Sequence, residues 1–261
     1  MFRTMVILIA VLGLVLAGTA VQAETCNFNV SSGNWTDDGS WSCGHEPTAG
    51  DVAVIQSGNT CTMDDAAGVA DSLTVESTAT LNIQASKKLT LDDSGGNGST
   101  ITGTVNLQGS ASELAFVDNN QTIDGSGKIV GQHNAAKITV GLNLTLTSET
   151  TIEGTLQITG LGAFKNQGLV WANAVGILEI STNTLSDDGS AEWKVSGSAS
   201  ATLLLNPTSS TFQQFFASFT LTDNGKLEVE SGGFSTKGSL YWGGGTITLA
   251  PGVSVEFGFN S

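Results

Sequence analysis

From Gly50 to its last residues the chain repeats one small unit: two apolar residues separated by one polar residue, then a turn. The unit is visible in "SLTVES", "ATLNIQ", "KLTLDD", "TVNLQG", "LNLTLT", "ILEIS", "KLEVES" and "TITLAPG". Alternation with period two marks a strand with one face inward. The spacers are Gly, Asn, Asp and Ser, the residues that supply turns. Each strand therefore offers few inward side chains: Leu73 and Val75, Leu81 and Ile83, Leu89 and Leu91, Val105 and Leu107. Many short strands fit either an antiparallel sandwich or a parallel β-solenoid. These strands lack the long alternating arms of sandwich hairpins, and Thr, Ser and Asn fill the outward positions. Both features favour the solenoid, in which each coil buries its inward residues on the coil below and a modest apolar content still makes a continuous core. The expected fold class is all-β: a parallel β-helix of degenerate coils, with the number of residues per coil left open.

The N-terminus reads as a secretory signal over residues 1–23. Arg3 gives a positive start, Met5 to Ala17 is almost wholly apolar, and "VQA" (Val21 to Ala23) places small residues at a cleavage position. The apolar run is short for a spanning helix, which needs about 20 residues. Gly, Ser, Thr, Asn and Asp break every later segment, so no membrane span is expected after cleavage. The mature chain would begin near Glu24, and its expected place is extracellular or at the cell surface. Its charge is one-sided, with 9 Lys+Arg against 24 Asp+Glu. Arg3 is the one arginine and lies in the signal, so every later basic residue is a lysine. Such a surface repels phosphate backbones, which argues against nucleic acid as a partner. All three cysteines lie before residue 62, and an exported chain can hold a disulfide.

The stretch from Ser32 to Asp65 is denser than the rest. It holds Trp35, Trp41, Cys43, His45, Pro47, Cys61 and several carboxylates. The first coil of a solenoid has an open end, so terminal repeats act as caps. Trp35 and Trp41 are large enough to cover a core, Pro47 and Gly50 turn the chain, and Asp51 can accept backbone N–H bonds in that turn. The succession Trp35, Trp41, Pro47, Gly50, Asp51, Val54 or Ile55, Gly58, Asp64, then Leu73 to Val75 and Leu81 to Ile83, resembles the opening segment of right-handed parallel β-helix proteins on bacterial surfaces. It is also similar to the extracellular domain named for its eight glycines. The likeness covers about residues 33–83. Cys61 departs from it, standing where such segments usually carry an inward aliphatic residue. The resemblance implies a single-stranded right-handed parallel β-helix in an extracellular setting, and no defined chemistry. The expected organisation is a signal peptide over 1–23, an N-terminal cap and first coil over 24–65, and β-helix coils over 66–261.

His45 and Glu46 beside Cys43 suggest a metal site. However, His45 and His133 are the only histidines, and neither C-x-x-C nor H-x-x-x-H spacing occurs. No metal centre is expected. Paired carboxylates stand at Asp37–Asp38, Asp64–Asp65, Asp92–Asp93 and Asp187–Asp188. Neighbours on a strand point to opposite faces, so such a dipeptide is not the facing pair of a glycosidase. Most sit beside Gly or Ser and read as turns. Calcium is the one cofactor these turns could take, although no EF-hand loop or G-G-x-G-x-D repeat is present. No catalytic residue is assigned. The enzymatic alternative, a carbohydrate-active β-helix acting as a polysaccharide lyase or glycoside hydrolase, rests on the fold alone. A lyase must neutralise a uronate, commonly with arginine, and the mature chain has none. Its lysines are scattered apart from Lys87–Lys88.

Asn206 to Leu221 breaks the rhythm. Phe212, Phe215, Phe216 and Phe219 fall at helical spacing behind Pro207, which predicts a short helix or bulge. These rings are a candidate ligand surface for sugars or a partner. The competing reading tucks them onto the core, since an exposed cluster of phenylalanines invites aggregation. Trp171, Trp193 and Trp242 read as packing. In "NTCTMDD" Cys61 and Met63 alternate inward, whereas Cys26 and Cys43 flank the cap. A Cys26–Cys43 disulfide is expected, with Cys61 free and buried; the rival pairing is Cys43–Cys61. Strand pattern continues through Val255, Phe257 and Phe259 without a polar closing segment. This predicts either self-association through the C-terminal coil or a lid made by the late phenylalanines. The function expected is that of a secreted or cell-surface, non-catalytic β-helix with a structural, adhesive or polymer-binding role, its partner a polysaccharide or other surface polymer.

Overall fold

The computed structural model describes residues 24–257 apart from 94, 95, 97, 119, 189, 198–199, 210–211, 216, 232, 237–239 and 254; for 212–215, 233–236 and 255–257 it describes the backbone alone. The expected signal at 1–23, Phe216 and Phe259 lie outside the described residues. Three strands make a coil, and each pairs in parallel with its counterpart one coil away. The first face is stacked from Val52–Ile55, Ser72–Val75, Ser99–Ile101 and Asn120–Asp124. The second begins with Thr60–Met63, Thr80–Ile83 and Thr104–Leu107. The third begins with Gly68–Ala70, Lys88–Leu91 and Glu113–Phe116. The order repeats for about nine turns, which makes the molecule a parallel β-solenoid.

The period-two pattern explains the core. On the second face Cys61, Leu81, Val105, Ile129, Ile152, Val170, Trp193 and Phe219 stand one above another in register. All of them are buried, within one apolar cluster that runs from Cys26 to Val229. Each layer removes apolar surface from water at about 25 cal/mol per Å², and it does so only because a neighbouring layer exists.

The coil length varies. Thr151 stacks on Leu169, 18 residues on, whereas Glu192 stacks on Ser218, 26 residues on. Register is kept on the flat faces, and the difference is absorbed at the corners. Three strands round their corners without a loop: Lys128–Val140, Thr151–Asn166 and Gly176–Asp187. Ladder register shifts between Gln132 and Lys137 and again between Gly160 and Ala163. Gly154 and Gly160 take φ of +95° and +141°. A Cβ on either would collide with the carbonyl of Gly131 or Val140 in the adjacent coil, so only glycine fits these turns.

Two expectations are corrected here. Among the described residues, the Asn206 to Leu221 segment contains no helix: Phe212–Phe215 and Ser218–Leu221 are strands. Phe215 and Phe219, four residues apart, lie in different strands, so their spacing is not one face of a helix. Phe219 is core, not ligand surface. It is buried and stacks on Trp193, with ring centroids 6.0 Å apart and planes 13° apart. The side chains of Phe212 and Phe215 are outside the described residues. The tryptophans also differ from one another: Trp193 is buried, Trp171 is half-buried on the outer surface, and Trp242 is 57% exposed.

Candidate functional site

The residues of the dense N-terminal stretch are drawn together by packing. Trp35 and Trp41 are buried and meet edge to face, with centroids 5.0 Å apart. Trp41 also meets Phe28 edge-on, and its Nε1 donates to the Trp35 carbonyl at 2.7 Å. A disulfide joins Cys26 to Cys43, with Cα atoms 5.1 Å apart. Pro47 is buried just before, and Gly50 is exposed within, the turn in which Asp51 N donates to the Thr48 carbonyl at 2.9 Å. The Asp51 carboxylate accepts from Thr48 N and Thr48 Oγ1 at 2.9 and 2.6 Å. Burial opposes its ionisation, but the Thr48 bonds and the Glu24 nitrogen overcome that cost and hold its pKa below the ordinary value.

His45 sits on the rim of this cap. Its Nδ1 lies 2.8 Å from the Glu46 carbonyl and its Nε2 lies 3.5 Å from Glu24 Oε2. The Glu46 carbonyl, foremost, favours the protonated ring; desolvation opposes it, Glu24 and Asp51 add to it, and the pKa is raised. One trio of potential metal ligands lies within 4.8 Å among the described residues: Cys26, Cys43 and His45. The disulfide occupies both sulfurs, so the trio offers no thiolate to a metal. Cys61 is the free thiol; burial, then the nearby Asp64 charge, raises its pKa.

The carboxylate pairs mostly serve turns. Asp37 caps the short 3-10 turn Asp38–Ser40, accepting from Gly39 N at 3.2 Å and Ser40 Oγ at 2.9 Å. Asp188 accepts from Ser190 N at 3.0 Å. Asp92 differs. It is hydrogen-bonded to Asp118, and that contact, with burial and the further charges of Asp118, Asp71 and Asp93, raises its pKa.

The outer surface of the second face carries a different arrangement. One outward column runs Thr60, Thr80, Thr104, Lys128, Thr151, Leu169, Glu192. Beside it runs Thr62, Asn82, Asn106, Val130, Glu153, Trp171, Lys194, Thr220, Tyr241. Strand stacking spaces successive members by about 4.8 Å. A groove of about 330 Å³ opens where the first and second faces meet, lined by Thr78, Thr102, Thr104, Ser126, Lys128, Thr151, Glu153, Leu169 and Trp171 with two glycines. The Glu153 side chain is only 13% exposed. It receives Lys128 Nζ at 2.8 Å on one oxygen and Asn173 Nδ2 at 3.2 Å on the other. Trp171 borders the groove; its Nε1 donates to Ser196 Oγ at 2.9 Å, and Lys194 Nζ lies 4.6 Å from its ring centroid. Hydroxyls, one neutralised carboxylate and an aromatic edge can hydrogen-bond and pack against a hydroxylated ligand.

Sequence reasoning did not single out Lys128, Glu153 or Lys194, and it read Trp171 as packing. No local motif marks them, since they meet only through stacking across coils of unequal length. In comparisons with known proteins, no family model, curated protein or solved structure matches the chain.

Proposed function

We propose that the chain is an exported, non-catalytic β-solenoid that binds a neutral polysaccharide along its second face. The observation that carries this reading is the groove at the corner of that face, where threonine hydroxyls and the Trp171 edge surround a single carboxylate already engaged by Lys128 and Asn173. A carboxylate so engaged suits a fixed hydrogen-bonding surface better than proton transfer. The excess of acidic residues favours a neutral polymer over a polyanion. The Cys26–Cys43 bridge fits an oxidising, extracellular setting. So does the resemblance of residues 33–83 to the opening of surface β-helices. The solenoid also supports a structural or adhesive role, because the first coils of its second face stack outward Thr60, Thr80 and Thr104 beside Thr62, Asn82 and Asn106.

Affinity electrophoresis against neutral and acidic polysaccharides, paired with analysis of released products, tests the proposal. Retardation by a neutral polymer is expected, weakened about tenfold by Trp171→Ala. Binding untouched by that substitution would move the site elsewhere. Release of shortened or unsaturated product would replace the reading with the carbohydrate-active enzyme.

A further inference from the structure

The backbone nitrogen of Glu24 lies 3.2 Å from Asp51 Oδ1. Asp51 is 2% exposed, and its other oxygen is engaged by both donors of Thr48. The first strand fixes this approach. Thr25 pairs with Val52, and Val52 N donates to the Glu24 carbonyl at 2.8 Å. The same Glu24 follows Ala23, the small residue that closes the apolar N-terminal segment.

We propose that cleavage between Ala23 and Glu24 arms a lock: the ammonium it creates on Glu24 pairs with the Asp51 carboxylate and fastens the first strand to the cap. The inference rests on the export reading above. In the cleavage, water supplies a hydroxyl to the Ala23 carbonyl carbon and the C–N bond breaks. The amine stays on Glu24 and is protonated at neutral pH, while the new Ala23 carboxyl group loses its proton. The bond from a neutral amide to the carboxylate thereby becomes an ion pair in which donor and acceptor are both charged. The acceptor is shielded from water, so the discount that applies to exposed ion pairs is reduced.

Among the described residues, the charged groups around this nitrogen are Asp51, which accepts from it, the Glu24 carboxylate of the same residue, and His45, 3.5 Å from that carboxylate. Two carboxylates against one imidazole keep the local field favourable to a cation. Asp51 has its pKa lowered, so its contribution is present above the ordinary carboxylate value and is lost as pH falls through the lowered one. The ammonium gains a partner on folding. Its contribution is complete below the unfolded α-amino value of about 7.7–8.0 and is lost as pH rises through the higher folded value.

The test starts with the N-terminus of the exported protein, read by mass spectrometry. A chain beginning at Glu24 is then compared with one retaining Ala23, each with and without Asp51→Asn. The chain beginning at Glu24 is expected to melt about 2–4 °C higher at pH 7. The gap should vanish in Asp51→Asn and close above about pH 9. The Glu24 amine, titrated by NMR, should show a pKa raised by about one unit. Equal melting and an unshifted amine overturn the lock. An exported chain that begins elsewhere overturns the cleavage reading instead, and the two recombinant chains still report on the pairing. If Asp51→Asn does not fold, the amine titration in the unsubstituted chain decides alone.

Discussion

The two ends of the solenoid treat the same problem differently. At the N-terminal end, Trp35 and Trp41 are buried over Phe28 and tied by a disulfide to the first strand. Toward the other end, Trp242 and Leu249 occupy inward positions, stacked in register on Leu221 and Val229. They are nevertheless 57% and 39% exposed. Strand alternation therefore assigns a side chain to the inside, but only a further layer takes it out of water. At the first coil that layer is built from loop residues, which carry no alternation. Full burial of a large apolar side chain contributes roughly 1.5–3 kcal/mol, so the two ends should differ in stability.

The largest effect expected is at the cap. Trp35→Ala should destabilise the protein by about 3–5 kcal/mol in urea denaturation, against less than about 1 kcal/mol for Trp242→Ala. Equal losses would break the comparison. Phenylalanine substitutions sharpen it. Trp35 Nε1 is buried without a partner among the described residues, whereas Trp41 Nε1 donates to the Trp35 carbonyl. Trp41→Phe should therefore cost more than Trp35→Phe.

Next in size is the staple. Cys26 and Cys43 are 17 residues apart in sequence, and replacing both by serine should cost about 3 kcal/mol on the chain-entropy account. Thermal melts with and without reductant measure it. Unchanged melting would place the stability of this end in the tryptophans alone.

The smallest effect on folding belongs to the exposed end. Trp242→Ser should leave the melting transition of the monomer within about 0.5 kcal/mol. Self-association through this end, which the sequence offers as the alternative to a phenylalanine lid, is expected to weaken instead. Sedimentation over a wide concentration range reads it, and a strict monomer at every concentration removes the proposal.

How legible this was depends on whether a feature lies along the chain or across it. The inward pairs, from Leu73 and Val75 to Val105 and Leu107, are visible because alternation is local, and they define the fold class. The groove is not visible in this way. Glu153, Trp171 and Lys194 are register neighbours yet stand 18 and 23 residues apart, and no fixed period links coils that vary in length. The phenylalanines near residue 215 misled for a related reason: Phe215 and Phe219 stand four apart in sequence but belong to two different strands. Trp242 shows the remaining limit. Its inward register is local information, whereas its exposure depends on which layer lies beyond it.

Every strand pair on the three faces joins one coil to the next. That arrangement has a mechanical consequence. Tension applied to the two ends would peel layers from the side without the staple, in series, as a zipper opens. Each layer would release about 6–9 nm of chain, since 18–26 residues extend at roughly 3.3–3.6 Å each. Unequal coils would give unequal steps, so the force trace of a single molecule would spell out the order of its coils. The last rupture would be the stapled cap, with the residues between Cys26 and Cys43 withheld from the extension.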